Sequence, residues 1–187
     1  MKSPSFAVWI TGIPSSGKSS IAKALVQLLH ERGVPTQLLE TDEIREKTIS
    51  SPKFTVEERD LVYHVMIMTA DYLMRNGISV VLAATGYKRR YREEARGCLP
   101  NYFEAYVRCS LETAMNRDPK GLYARAKAGE IKGFPALHDQ YEEPTQPDII
   151  LDSERETPDR LAEKIFTHLE KKGLTHPVEE LRREAHG

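Results

Sequence analysis

The chain has 187 residues, 40% hydrophobic and 29% charged, with 27 Lys and Arg against 28 Asp and Glu for a net charge of −1. Its length and apolar fraction predict one globular domain, residues 1–187, able to bury a core without disulfides or a structural metal. Near-neutral charge argues against nucleic-acid binding, which needs a basic face, and no apolar run approaches the roughly 18 residues that span a bilayer. Met1-Lys2-Ser3-Pro4 leads straight into a strand-like run, unlike a signal peptide, so a cytoplasmic protein with no membrane partner is expected. Cys98 and Cys109 stand alone, at a spacing that suits neither zinc ligation nor a disulfide framework.

The first apolar run, Phe6 to Ile10, reads as a strand. From Lys18 to Arg32, Ile21, Ala22, Leu25, Leu28 and Leu29 recur at helical spacing and Gly33 supplies the stop. Thr36 to Leu39 is a second strand. Thr55 with Glu58 reads as a capping box for a helix carrying Leu61, Val62, Val65, Met66, Leu73 and Met74 and ending at Asn76-Gly77. Strand-like runs follow at Ser79 to Thr85, Phe103 to Cys109 and Asp148 to Leu151, with a further amphipathic helix from Thr157 to Lys172 closed by Gly173. Five strands alternating with helices predict an α/β fold in three layers, a five-stranded parallel sheet covered on both faces. The charge-rich stretch 174–187 reads as a helical tail.

Between the first strand and first helix lie Gly12, Ile13, Pro14, Ser15, Ser16, Gly17, Lys18, Ser19 and Ser20. Gly-x-x-x-x-Gly-Lys-Ser in a strand-to-helix setting is the P-loop pattern. The glycines let backbone wrap phosphate oxygens, successive N–H groups and the helix N-terminus donate to them, Lys18 neutralises charge and Ser19 can ligate magnesium. The loop therefore predicts a nucleoside-triphosphate site with ATP and Mg2+. Asp42, after the second strand, suits a general base on an acceptor hydroxyl or a magnesium ligand through water, with Glu40 the weaker candidate. Asp42 could equally cap a helix beginning at Glu43. No Asn-Lys-x-Asp run marks a guanine site, so a small-molecule kinase fits better than a molecular switch.

"RDPKGLYARAKAGEIKGF", residues 117–134, sets Arg117, Lys120, Arg125, Lys127 and Lys132 against Asp118 and Glu130, a local charge of +3, with Gly121, Gly129 and Gly133 as joints. A segment of this kind can close over phosphate and exclude water.

That stretch closely resembles the lid of adenylylsulfate kinases, and "HDQYEEPTQPDIIL" resembles the segment that follows it; the similarity runs from about Ala7 to about Leu151. The resemblance implies a P-loop NTPase fold with a helical lid at about 117–140. It implies transfer of the ATP γ-phosphoryl group to the ribose 3′-hydroxyl of adenylyl sulfate, with magnesium, in a homodimer. By position, Asp42 is similar to the family's acid beside the acceptor hydroxyl and Arg45 to the arginine on the substrate's anionic end. Phe54 and Phe134 resemble the aromatics that sandwich the acceptor adenine, Lys132 a lid lysine near the acceptor, and Arg117 the arginine next to the ATP base.

The acceptor walls depart from the pattern. Leu61, Val62, Tyr63, His64 and Val65 stand where the family has an asparagine and an arginine for the acceptor, and Ala83 to Tyr87 replace a Ser-Phe-Ile-Ser-Pro run. His64, or cations within "KRRYREEAR" at 88–96 and Lys88 to Arg92 in particular, are candidates to replace the missing arginine. The same transfer to another nucleotide-linked or small-alcohol acceptor is therefore an alternative, and a non-enzymatic nucleotide-binding subunit is a third.

Overall fold

A computed structural model describes residues 4–131, 133–138 and 140–175. Lys132 and most of the expected tail lie outside the described residues. The elements run β1 (Ala7–Thr11), α1 (Lys18–Glu31), β2 (Thr36–Glu40), α2 (Thr41–Thr48), α3 (Val56–Arg75), β3 (Ser79–Ala83), α4 (Arg89–Cys98), β4 (Tyr102–Arg108), α5 (Leu111–Arg117), α6 (Leu122–Lys127), β5 (Ile149–Asp152) and α7 (Pro158–Lys171). Five parallel strands are ordered β2-β3-β1-β4-β5.

β1 lies at the centre and all five of its residues are buried. Its side chains alternate between faces. Val8 and Ile10 pack beneath α1 and α7 with Leu25, Leu29, Ile165 and Leu169, while Ala7 and Trp9 pack beneath α3 and α4 with Met66, Ile67, Ala70 and Ala95. The chain builds β2 and β3 on one side of β1, then crosses to β4 and β5 on the other. Such a reversal opens a crevice at the carboxyl ends of the strands.

Local chemistry fixes the element ends. α1, α3 and α7 each close with paired bonds past a glycine, such as Gly33 N–H to His30 O (2.9 Å) and Val34 N–H to Leu29 O (2.9 Å), as their sequences predict. Thr157 and Thr55 each accept a backbone N–H three residues on. The capping box is only half formed, however. The Glu58 carboxylate accepts from Lys53 N–H (2.8 Å) and Phe54 N–H (2.6 Å), not from Thr55. That clamp holds Phe54 at φ 60, a left-handed conformation costly for a bulky residue. α2 begins at Thr41, so Asp42 sits in the first helical turn and does not serve as the cap; an acid there is still favoured by the helix dipole.

Gly86, after β3, sits at φ +52, and a Cβ there would lie 3.0 Å from the Trp9 ring and 3.2 Å from Arg92 Cγ. Gly86→Ala is expected to lower unfolding free energy by about 1–3 kcal/mol, from left-handed strain plus crowding. It should also shift the emission of Trp9, the sole tryptophan. Denaturant titration followed by Trp fluorescence checks both.

Candidate active site

The loop between β1 and α1 is shaped by exclusion of side chains. A Cβ on Gly12 would stand 2.6 Å from the Val107 carbonyl oxygen and 2.8 Å from Ser16 Oγ, so the loop can nest against β4 only with glycine there. Gly17, left-handed at φ 99, begins α1 without a side-chain cap. The amides of Lys18, Ser19 and Ser20 are thus left to bind an anion at the helix N-terminus. Pro14, Ser15, Gly17, Lys18, Ser19 and Ser20 line a cleft of about 980 Å³. Ser16 lies fully buried below, and Gly12 and Ile13 contribute their carbonyls to Lys18.

The Lys18 ammonium donates to Gly12 O at 3.0 Å and Ile13 O at 2.8 Å. Burial strips its hydration and lowers its pKa to about 7, against the opposing pull of the Asp42 carboxylate. Two carbonyls replace water poorly for a full charge.

Asp42 and Arg45 come from α2 and share a 3.0 Å ion pair. Lys120, from the segment between α5 and α6, reaches Asp42 Oδ2 at 2.5 Å. Burial opposes ionisation of Asp42, but the Lys120 hydrogen bond and charge, aided by Arg45, outweigh it and hold the carboxyl below the usual range. The Asp42 hydrogen bond correspondingly raises Lys120. Arg45 also lies over the Phe54 ring, 5.0 Å from its centroid.

The segment after α5 packs Tyr123, Ala126, Ile131 and Phe134 into a small core with Ala114 of α5, against Ile13 of the phosphate loop. Asp118 accepts from Tyr123 and Ala124 N–H at 3.0 and 3.1 Å, fixing the start of α6. The Tyr123 hydroxyl then donates to the Pro14 carbonyl at 2.9 Å, docking α6 on the phosphate loop. Phe134 meets Tyr123 edge-on at 5.0 Å and also lines the cleft. Arg117 donates to Ser153 O at 2.7 Å, at the end of the cleft bounded by Glu156, Pro158 and Leu161.

Of the candidates from sequence, Lys18, Ser19, Asp42, Arg45, Phe54, Arg117 and Phe134 thus share one cleft. The cations of 117–134 divide: Arg117 and Lys120 face the cleft, whereas Arg125 pairs with Glu130 at 3.0 Å beside it. His64 turns away to Glu94 at 3.2 Å. The stretch 88–92 does not line the cleft either: Arg90 pairs with Asp60 and Arg92 with Glu104. Arg59, which sequence reading passed over, is buried, lines the cleft and lies over the Tyr87 ring at 5.1 Å. Its signal was available: it shares the buried face of α3 with Val62, Tyr63, Met66, Ile67 and Ala70, and an arginine on a core-facing stripe asks for a reason.

The strand order, the glycine loop after the central strand and an acid facing that loop across the cleft define a P-loop kinase fold. Residues 4–152 match the family described as Adenylylsulphate kinase, and the chain belongs to that family. It is 40% identical over 151 residues to a probable adenylyl-sulfate kinase of Archaeoglobus fulgidus, covering 81% of this chain and 97% of that one. It is 37% identical over 179 residues to an adenylyl-sulfate kinase of Rippkaea orientalis, covering 95% and 99%. The APS kinase of Mycobacterium tuberculosis, solved with AMPPNP and APS, superposes with a TM-score of 0.83 at 30% identity, covering 90% of this chain and 99% of that one.

With a Lys18 pKa of about 7, most of the free protein lacks that proton at pH 8, and an arriving polyphosphate restores it. Binding of a non-hydrolysable ATP analogue at pH 8 is expected to take up most of one proton, and affinity should fall as pH rises above 7. Calorimetry in buffers of different ionisation heat measures the uptake, which Lys18→Met should abolish. For folding the sign is the reverse: the unfolded chain binds the extra proton between pH 7 and 10.5, so the Lys18 contribution to stability grows with pH across that window.

Proposed function

We propose that the protein transfers the γ-phosphoryl group of ATP to the ribose 3′-hydroxyl of adenylyl sulfate, giving 3′-phosphoadenylyl sulfate. The observation that carries this reading is one cleft, in a member of this family, where Lys18 under the phosphate loop faces Asp42 and two acceptor-side arginines, Arg45 and Arg59. Those arginines favour an anionic acceptor over a simple alcohol.

ATP lies with its phosphates on the amides of residues 15–20 and its base toward Arg117. Lys18 and Lys120 approach the transferring group from opposite sides, spreading positive charge over a loose transition state. The acceptor adenine stacks between Phe54 and Phe134, and Lys132 joins it from the lid, residues 117–140. Asp42 accepts the hydroxyl proton. Lys120 holds it ionised in the free protein, and drawing Lys120 onto the incoming phosphate raises its basicity when a base is needed. Lid closure keeps water from the phosphoryl group.

Among the described residues no group of three or more His, Cys, Asp or Glu could hold a metal alone. Magnesium would arrive on the nucleotide, held by the Ser19 hydroxyl that lines the cleft, and would neutralise phosphate charge there. No helix among the described residues is long and apolar enough to cross a membrane. A homodimer in the cytoplasm, where ATP is found and where Cys98 and Cys109 stay free thiols, completes the reading.

Incubation with Mg2+ and γ-labelled ATP should label adenylyl sulfate in preference to cytidine diphosphate derivatives or simple alcohols; no labelled product from adenylyl sulfate at any protein level removes the reading. Asp42→Asn is expected to lower turnover by about 10² to 10⁴-fold with little change in ATP affinity, read by initial rates and calorimetry. An unchanged turnover would assign the base elsewhere.

A further inference from the structure

Arg92, on α4, is 1% exposed and stands outside the cleft, yet it touches three separate parts of the fold. Its Nη1 donates to the Gly86 carbonyl, and its Nη2 to the Glu142 carbonyl at 2.6 Å. Its Nε lies 2.8 Å from the Glu104 carboxylate on β4. The guanidinium also rests 5.7 Å from the Tyr141 ring centroid. A buried guanidinium is costly unless its charge and its N–H groups are answered; here the Glu104 carboxylate answers the charge and two carbonyls take the Nη groups, while Nε–H makes no hydrogen bond.

The two carbonyls belong to segments with different tasks. Gly86 lies between Thr85 and Tyr87, which line the acceptor side of the cleft. Tyr141 and Glu142 are where the chain returns from the lid to the sheet. Glu142 N–H donates to the Tyr87 carbonyl at 2.8 Å, and the Tyr141 hydroxyl lies 2.8 Å from Thr11 Oγ1, which itself donates to Thr85 O at 2.7 Å. The acceptor wall and the lid's return segment are thus tied at several points, with one planar side chain as the common clamp.

We propose that Arg92 is a positioning residue that locks the 85–87 wall to the lid's return segment, coupling acceptor binding to lid closure. The proposal rests on the reading that residues 85–87 face the acceptor. Arg92 acts through those carbonyls and touches no reacting atom.

Arg92→Lys is the informative variant. It keeps a cation opposite Glu104, so the buried carboxylate retains a partner, but the donors of an ammonium radiate from a single nitrogen and cannot span the two carbonyls that the planar fork bridges. Arg96→Met is the control: Arg96 donates to the same Glu104 at 2.8 Å and is half exposed. In steady-state kinetics, Arg92→Lys is expected to raise KM for adenylyl sulfate about tenfold or more while KM for ATP moves less than twofold. Arg96→Met should lower Tm with neither KM changed. A second readout needs no turnover. Protease cleavage within 117–140, with a non-hydrolysable ATP analogue bound, should be several-fold faster in Arg92→Lys and at the wild-type rate in Arg96→Met.

If wild-type protein fails to phosphorylate adenylyl sulfate, the functional reading fails and the cleavage rates still decide the coupling. Wild-type cleavage in Arg92→Lys, or equal shifts in both KM values, or the same signature in Arg96→Met, would overturn the proposal.

Discussion

The carboxyl edge of the sheet is arranged around one poorly hydrated ammonium. Lys18 is bonded to two carbonyls of its own loop and pushed down toward neutrality by burial. The loop can hold it there because Gly12 lies against the Val107 carbonyl and β1 is fixed between β3 and β4. An ammonium so placed interacts far more strongly with a polyphosphate than with its own surroundings, since low dielectric magnifies the attraction. The site is thus poised for phosphate by its own incomplete solvation.

Over this lies the segment that follows α5, and the polar bonds it makes to the cleft are individually weak. The Tyr123 hydroxyl bond to Pro14 contributes about 1 kcal/mol net, and the Lys120–Asp42 pair, with both side chains more than half exposed, adds at most about 1 kcal/mol. The segment's small core of Tyr123, Ala126, Ile131 and Phe134 is shared with Ala114 of α5 and packs against Ile13 of the phosphate loop. In the proposed mechanism Lys120 trades a carboxylate for a phosphate as this segment closes.

The architecture was largely legible, because each strand is a short apolar run and each long helix carries its own stop glycine. The phosphate loop was legible for the same local reason: the spacing of Gly12, Gly17, Lys18 and Ser19 encodes the geometry directly. What escaped depends on distant parts of the chain. Arg92 lies within a highly charged stretch that reads as a solvated face, yet Glu104 on the neighbouring strand and the carbonyl of Glu142, fifty residues away, draw it inside. Glu58 signals a capping box, but the backbone of Lys53 and Phe54 folds back to take its carboxylate. His64 invites a ligand role until Glu94 claims it. Arg59 was the one legible residue left unread.

The most direct test of the two-sided grip is a crystal structure of the protein with a non-hydrolysable ATP analogue, magnesium and adenylyl sulfate. The ammonium groups of Lys18 and Lys120 should both lie about 3 Å from γ-phosphate oxygens, with Lys120 drawn off Asp42 and the acceptor 3′-hydroxyl on the freed carboxylate. Lys120 still paired with Asp42, or residues 117–134 swung clear of the γ-position, would contradict the account.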